Sequence, residues 1–508
     1  MSVFAAVDIG SNSVRLKIAR VVHHRLQEIH EDRVVTRLGE SVFRFGVLSP
    51  EAMDATVNVL RRFHRAVQKY AADRVRAVAT SALRDARNAA AFVAWVRSAT
   101  GWKVETVSGL EEGRLIHLGL LTHSNLATSK MLLLDLGGGS CEMTISERGH
   151  IRNMVSLPLG AVRLTKQFLP HDPPRPIEVQ RLREDIGEEI DAVRRRIVAA
   201  RVGLMVATSG TAAALAGAAR AIDRRSRGLK GGPVSRAVVV RLADQLARLD
   251  VKARARLPGI GPRRAEIVVA GAYVFAELME RCALPRFRYS PLGLRDGILA
   301  QMLAEHDRAT ATRRRIEEEQ QDAILAMCRQ YRVDLKAAEN VRRVAVQLFG
   351  DLRRVHDLPA EYESWLSAAA VLHDVGSFIN RSGRHRHTHY LISGSELFGF
   401  TPDERQIIAA IARYLGKSRP DPADGPLKVL ASQDQERVPR AVALLRLAKA
   451  VNPGHGGRIA SVQATVDRDR VLLKLSARVD ADLELWMLQK EKGYFREVFG
   501  RDLVADLA

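Results

Sequence analysis

The 508-residue sequence is short of several things, and each shortage excludes something. Cysteine is scarce: Cys141, Cys282 and Cys328 stand too far apart for a thiolate metal site or a disulfide framework. A reducing compartment, the cytoplasm, is therefore expected. Aromatics make up 5% of the chain and form no interleaved stacking platform, so no specific nucleic-acid partner is expected. No apolar run approaches the roughly 20 residues that span a bilayer; Ile267–Met279 reads as a buried helix, and no membrane span is expected. The opening MSVFAAVDIG runs into a strand pattern without a basic leader, an apolar region or a small-residue cleavage site, so no targeting segment is expected. The last shortage is of acid: 58 Asp and Glu against 79 Lys and Arg leave a net charge of +21. A surface this basic draws polyanions such as nucleic acid, acidic headgroups or polyphosphate, although an Arg-rich solvated surface gives the same count.

The length implies two to four domains. Up to about residue 305 strands and helices mix. Strand patterns lie at Phe4–Ile9, Val14–Val22, Val75–Thr80, Val104–Ser108, Met131–Asp135, Cys141–Ser146, Ile151–Ser156 and Leu204–Ser209, and helical spacing at Ala52–Tyr70 and Ala89–Thr100. Beyond that point helices dominate, at Glu318–Gln330, Lys336–Val355, Glu361–Leu372, Pro402–Leu415 and Pro439–Ala450. The alternation over Ala460–Arg478 reads as a hairpin turning near Asp467–Asp469, and Pro420–Pro426 marks a softer boundary near 425.

The most informative feature is a repeat. Asp8-Ile9-Gly10-Ser11-Asn12-Ser13 matches Asp135-Leu136-Gly137-Gly138-Gly139-Ser140, and each copy follows an apolar strand and precedes another. Glycine lets backbone N–H groups close on an anion, and successive N–H groups in such a turn make a cavity for phosphate oxygens. Ser13 and Ser140 add hydroxyl donors, and Asp8 and Asp135 at the strand ends suit Mg²⁺, directly or through water. One such turn alone is an ordinary hairpin; two are a device that grips successive phosphates. No Gly-Lys-Ser/Thr ending is present, so this is not a Walker A loop. A third turn, Ala207-Thr208-Ser209-Gly210-Thr211, follows a buried strand and precedes an Ala-rich helix, which suits either a phosphate or a helix cap.

Seven segments, DIGSNS (Asp8–Ser13), ATSALRDARN (Ala79–Asn88), SGLEEGRLI (Ser108–Ile116), LDLGGGSCE (Leu134–Glu142), SLPLGAVRLT (Ser156–Thr165), ATSGT (Ala207–Thr211) and SPLGLRDG (Ser290–Gly297), occur in this order. Together they resemble the exopolyphosphatase / guanosine pentaphosphate phosphatase family, within the superfamily of actin, sugar kinases and heat-shock ATPases. The resemblance implies two RNase H-like lobes of an actin-like ATPase fold, residues 1–124 and 125–305, with the active site between them. It implies Glu112 as the catalytic base that orients water, and Asp135 and Glu142 as supports for Mg²⁺ (or Mn²⁺) and the water. Arg84 and Arg264 are implied as phosphate ligands beside the turns Gly10, Ser11, Asn12, Ser13 and Gly137, Gly138, Gly139, Ser140. Glu266 stands where many relatives carry Asp. By residue type alone, Glu111 and Glu112 also fit a solvated helix start, where acids are favoured.

The remainder divides into a helical region, 306–425, and a small α+β region, 426–508. Leu372-His373-Asp374 resembles the His-Asp pair of the HD phosphohydrolase fold. The expected earlier His is absent, and Lys449 stands where Asp is usual, so an HD-like fold without HD catalysis is implied. His385, His387 and His389 alternate with Arg384 and Arg386, which in an extended segment puts the histidines on one side. With Arg413 and Lys417 they suggest a basic track for polyphosphate rather than a metal site. The leading expectation is processive, metal-dependent exopolyphosphatase action that releases orthophosphate, in a homodimer expected from the resemblance alone. The alternative substrate is guanosine pentaphosphate, and a non-catalytic polyphosphate or nucleotide sensor is the reading of another class. A kinase of the same superfamily is disfavoured by the water-activating glutamate that the resemblance assigns.

Overall fold

The computed structural model describes residues 2–122, 130–222, 232–307, 309–416, 418–453, 458–477 and 479–507. The chain forms two compact units, Met1–Arg315 and Ile316–Ala508. The lobe division expected at 124/125 lies outside the described residues.

Unit 1 holds two sheets. The first contains β1 (Val3–Ile9), β2 (Ser13–Val22), β3 (Arg25–Val35), β4 (Arg74–Ala79) and β5 (Val104–Thr106), ordered β3-β2-β1-β4-β5. The second contains β6 (Lys130–Leu136), β7 (Cys141–Glu147), β8 (His150–Leu157), β9 (Leu204–Thr208), β10 (Val234–Ser235) and β11 (Arg286–Tyr289), ordered β8-β7-β6-β9-β11-β10. In each, three strands run antiparallel and the next two join in parallel: β4 on β1 and β5 on β4, then β9 on β6 and β11 on β9. This is the RNase H-like order twice over, as the resemblance implied.

Every residue of β1 is buried, which is why VFAAVDI shows no alternation: a central strand covered on both faces reads as a continuous apolar run. One face of the first sheet packs on helices Pro50–Lys69 and Ala89–Thr100 through Val57, Leu60, Phe63, Phe92 and Val96. Helices Gly109–Thr122 and Leu294–His306 fill the space between the sheets: Leu115, Ile298 and Met302 share one core with Phe4 of β1, Leu133 of β6 and Val206 of β9. That wedge fixes the first turn of Gly109–Thr122 against both lobes.

In unit 2, helices Leu335–Asp351, Glu361–Leu372, Pro402–Arg413 and Ser432–Ala450 pack through Val341, Leu348, Leu366, Ala410 and Leu444. The last helix begins before the expected start at Pro439, which lies inside it. The same core continues through Leu473, Phe495 and Leu503 into a sheet of β12 (Ile459–Asp467), β13 (Arg470–Ala477) and β14 (Asp502–Leu507). The first two strands are the expected hairpin. The third pairs parallel to β13 after helix Asp482–Phe499; its six residues were too few to show a period. No helix among the described residues is long and apolar enough to cross a membrane.

Candidate active site

The two sequence copies fold alike. Ile9 pairs with Val14 and Leu136 with Cys141, so each turn spans four residues. Gly10 N–H donates to Ser13 O (3.2 Å) and Gly137 N–H to Ser140 O (2.9 Å). The turns meet across the lobes: a Cβ on Gly138 would lie 3.0 Å from Ser11 Cβ and 3.3 Å from Asn12 N, so a side chain there wedges them apart. Between them lies a cavity of about 290 Å³, lined by Asp8, Gly10, Ser11, Asn12, Ser13, Glu112, Asp135, Gly137, Gly138 and Ser140 on one side and by Ser209, Gly210 and Arg264 on another. Gly139 is turned toward Phe43 and Ser81.

Three acids converge here. Glu112 sits on the first turn of Gly109–Thr122, Asp135 near the end of β6, and Glu142 directly opposite Asp135 on β7. One oxygen from each lies within 4.8 Å of the others, the only such group of His, Cys, Asp or Glu among the described residues. Burial raises the pKa of all three. Repulsion from Glu142 adds to the rise at Glu112, and repulsion from Asp135 helps push Glu142 up to about 7. Thr208 Oγ1 donates to Asp135 Oδ1 (2.5 Å) and Ser156 Oγ to Glu142 Oε1 (2.9 Å). Arg84 Nη1 donates to Glu112 Oε2 (3.2 Å) and Val107 O (2.8 Å), while Nη2 reaches Ser140 Oγ (3.3 Å). Glu142 Oε2 is buried with no partner. Two buried carboxylates and a half-buried one beside one guanidinium, with one oxygen unpaired, fit a hard divalent cation, which takes oxygen ligands. Asp8 lines the cavity but stands outside this group, with its Oδ2 4.0 Å from Arg15 Nε.

The opposite chemistry lies alongside. Arg264 is buried, its Nε has no partner, and burial together with Arg33 and Arg15 brings its pKa down to about 9. Its guanidinium lies flat on Gly210, where any Cβ would overlap it. Ser209 holds a left-handed φ of +78°, and Ser209 Oγ, Thr211 Oγ1 and Asn12 Nδ2 are buried without partners. An unpaired buried donor costs roughly 1–3 kcal/mol, so a cluster of them marks a place for a ligand's acceptors. Glu266 reaches Lys166 Nζ (2.8 Å) within its own lobe and Arg37 Nη2 (3.1 Å) of the other.

The model of the Ppx/GppA phosphatase family matches residues 17–306, and that of Ppx/GppA phosphatase domain III matches residues 320–492. The chain belongs to the Ppx/GppA phosphatase family. A crystal structure of the Aquifex aeolicus member of the Ppx/GppA family is 30% identical, covering 60% of this chain and 99% of its own, with a TM-score of 0.51. An exopolyphosphatase-like protein is 28% identical over 60% of this chain and 100% of its own, with a TM-score of 0.55. An exopolyphosphatase from Cytophaga hutchinsonii, 24% identical over 60% and 98%, shares the fold at a TM-score of 0.56.

Within this family member, two expectations change. Glu111 is not a solvated helix start: both its oxygens accept from Arg114 at 2.7 Å, and Arg114 is fully buried and also reaches Gln301 Oε1 (2.6 Å). The histidine-rich segment is helix Arg384–Gly394 rather than an extended stretch, launched from Gly383 at φ +71° and held down by buried Thr388 and Ile392. Helical spacing puts His385 and His389 on one face and turns His387 away. Arg386 is exposed, Arg413 ends helix Pro402–Arg413 with its guanidinium over the Tyr414 ring, and Lys417 lies outside the described residues. At the end of helix Glu361–Leu372, His373 Nδ1 donates to Ala370 O (2.7 Å), and burial together with Lys449 brings its pKa down to about 3. Four residues of the site were given no role in the sequence: Ser156, Thr208 and Arg15 beside the acids, and Arg33 opposite Arg15. Extending the repeat seven residues from each Asp, to Arg15 and Glu142, is the signal that finds two rows rather than two turns.

Proposed function

We propose that this phosphatase removes the terminal phosphate of inorganic polyphosphate, releasing orthophosphate with Mg²⁺ or Mn²⁺ as cofactor. The observation that carries the reading is the convergence of Glu112, Asp135 and Glu142 beside partnerless donors in one cavity. Asp135 and Glu142, with Asp8 beyond them, would hold the ion, which when bound offsets the charge of the phosphates. Glu112 orients and deprotonates the attacking water, and burial beside Glu142 raises its pKa, which makes its carboxylate a stronger base. Arg84 bridges Glu112 and Ser140, so it fixes the base and offers N–H groups to the reacting phosphate. The two hairpin turns, the Ser209-Gly210-Thr211 turn and Arg264 grip the phosphates next along. Phosphoryl transfer needs such positioning and charge neutralisation more than covalent help.

The net charge of +21 supports a long polyanion as substrate, retained between cleavages by a basic track in unit 2 through His385, Arg386, His387, Arg413 and Lys417. Unit 2 is read as HD-like without HD catalysis. A homodimer in the cytoplasm completes the proposal. Guanosine pentaphosphate remains the second reading because Tyr289, Pro291 and Leu292 line the same cavity and offer a nucleoside an apolar edge. The test is phosphate release by purified protein with Mg²⁺ from long polyphosphate and from guanosine pentaphosphate, beside Glu112→Gln. Fast release from polyphosphate, lost in the variant, is the expected result. Preference for the nucleotide selects the second reading, and no release by folded wild type makes the protein a sensor.

A further inference from the structure

The carbonyls of the second turn are held from behind. Helix Ala161–Phe168 starts against its back: Ala161 N–H donates to Gly137 O (3.0 Å), and the N–H groups of Val162 and Arg163 donate to Gly138 O (2.8 and 3.0 Å). Gly160 lets the helix come this close, because a Cβ there would lie 2.2 Å from the Gly139 carbonyl carbon. The third carbonyl, Gly139 O, accepts from a side chain instead, Arg163 Nε (2.7 Å). In a planar trans peptide C=O and N–H point opposite ways, so these contacts turn the N–H groups of Gly138, Gly139 and Ser140 away from the helix. None of the three has an acceptor among the described residues, and Gly138 and Ser140 line the cavity. Arg163 also reaches the other lobe. Its Nη2 donates to Asp85 Oδ2, and its guanidinium carbon lies 4.3 Å from the centre of the Phe43 ring, which packs on Gly139. Asp85 follows Arg84 on helix Ser81–Asp85, and Arg84 Nη2 returns to Ser140 Oγ (3.3 Å). The links close a circuit: Arg84, Ser140, Gly139, Arg163, Asp85 and Arg84 again. Two of them are covalent, so neither lobe's part moves without breaking a hydrogen bond.

We propose that Arg163 is a positioning residue, which sets the Ser140 amide and the Arg84 guanidinium against each other across the lobes for the phosphate that reacts. Arg163 is not among the residues lining the cavity, so it acts through Ser140 and Arg84. The proposal rests on the reading that the reacting phosphate lies at Glu112 and Asp135. Both aligned groups face charge that moves during transfer, where a shift of about 1 Å costs up to about 10²-fold in rate. The bound ground state, gripped by the other donors of the cavity, is affected less. Lysine replaces Arg163 only in part: a point charge reaches Gly139 O or Asp85, whereas the planar fork holds both.

Kinetics of full-length wild type, Arg163→Met, Arg163→Lys, Asp85→Asn and the Asp85→Asn/Arg163→Met double variant are compared on long-chain polyphosphate and guanosine pentaphosphate with Mg²⁺, with melting temperature as the folding check. For Arg163→Met the expected result is a kcat lowered about 30-fold with KM within about threefold. Arg163→Lys restores part of the loss, and Asp85→Asn alone loses less. The double variant is no slower than Arg163→Met, because Asp85 acts through Arg163. Unchanged kcat, a rise in KM alone, or losses that multiply in the double variant overturn the proposal. Where Arg163→Met does not fold, the same split between kcat and KM is read in Arg163→Lys. Hydrogen exchange without substrate reads the circuit apart from turnover: in Arg163→Met the segments Leu136–Glu142 and Thr80–Arg87 exchange faster together, by about tenfold. An inactive wild type with that joint acceleration removes the activity reading and leaves the circuit, while unchanged exchange removes the circuit.

Discussion

Across the first sheet of unit 1 one ladder position reads Val78–Asp8–Arg15–Arg33; across the second, the same position reads Thr208–Asp135–Glu142–Ser156. The backbones repeat, down to the four-residue turn and its closing hydrogen bond. The side chains differ in sign. In the first lobe the aspartate faces an arginine and then another arginine. In the second it faces a glutamate, with Thr208 and Ser156 supplying donors to the two acids. A duplicated scaffold thus presents one basic row and one acidic row, and Arg264 and Glu112 line the same cavity. The fold sets where charge is placed; the second residue after the turn, Arg15 or Glu142, decides which charge faces the aspartate.

The comparison is broken hardest by neutralising the acidic row. Glu142→Gln or Asp135→Asn should lower phosphate release by about 10³-fold, within the range for losing essential acid–base or metal-supporting groups, and abolish the rise in melting temperature on adding Mg²⁺. Retained activity with the Mg²⁺ effect intact would move the cation elsewhere. Removing the basic row's partner, Arg264→Ala, should reduce kcat/KM by roughly 10- to 100-fold, the cost of a charge-assisted contact to phosphate, with the Mg²⁺ effect on melting preserved. Loss of both together would mean that the rows are not separable.

The pH dependence of stability sharpens the contrast. Glu142 titrates near 7 when folded against 4.5 ordinarily, so the folded state holds the extra proton. The contribution of Glu142 to stability without metal is therefore greatest below about 4.5 and is lost as pH rises through 7. Mg²⁺ replaces the proton, so its increment in melting temperature should grow from pH 5 to pH 8; a constant increment would contradict the cation assignment. The smallest effect is expected from Ser156→Ala. Loss of its donor raises the Glu142 pKa further, so the Mg²⁺ midpoint measured by melting at pH 7 should weaken by about two- to threefold.

Much of this was legible in the sequence for a local reason. DxGxxS turns between apolar strands are set by the needs of glycine and by strand burial, and the paired motifs announce themselves without tertiary information. The continuous apolar β1 and the amphipathic Pro50–Lys69 helix are equally local. Glu111 was misjudged because its partner Arg114, itself held by Gln301 on another helix, is buried only once Leu294–His306 packs beside Gly109–Thr122. The histidine run was misjudged because alternate spacing fits an extended segment, whereas Gly383 and the buried Thr388 commit it to a helix.

By itself the sequence determined the two DxGxxS turns, the aspartates that open them and the α/β alternation around them, because turn chemistry and hydrophobic period act over a few residues; the two lobes were implied by the family resemblance. Only the tertiary structure decided that Glu112 meets Asp135 and Glu142, that Arg264 lies on Gly210, and that Arg33 lies opposite Arg15. Those pairings join residues tens of positions apart through strand register and helix packing, and burial together with the neighbouring charges shifts the protonation of the acids and of Arg264.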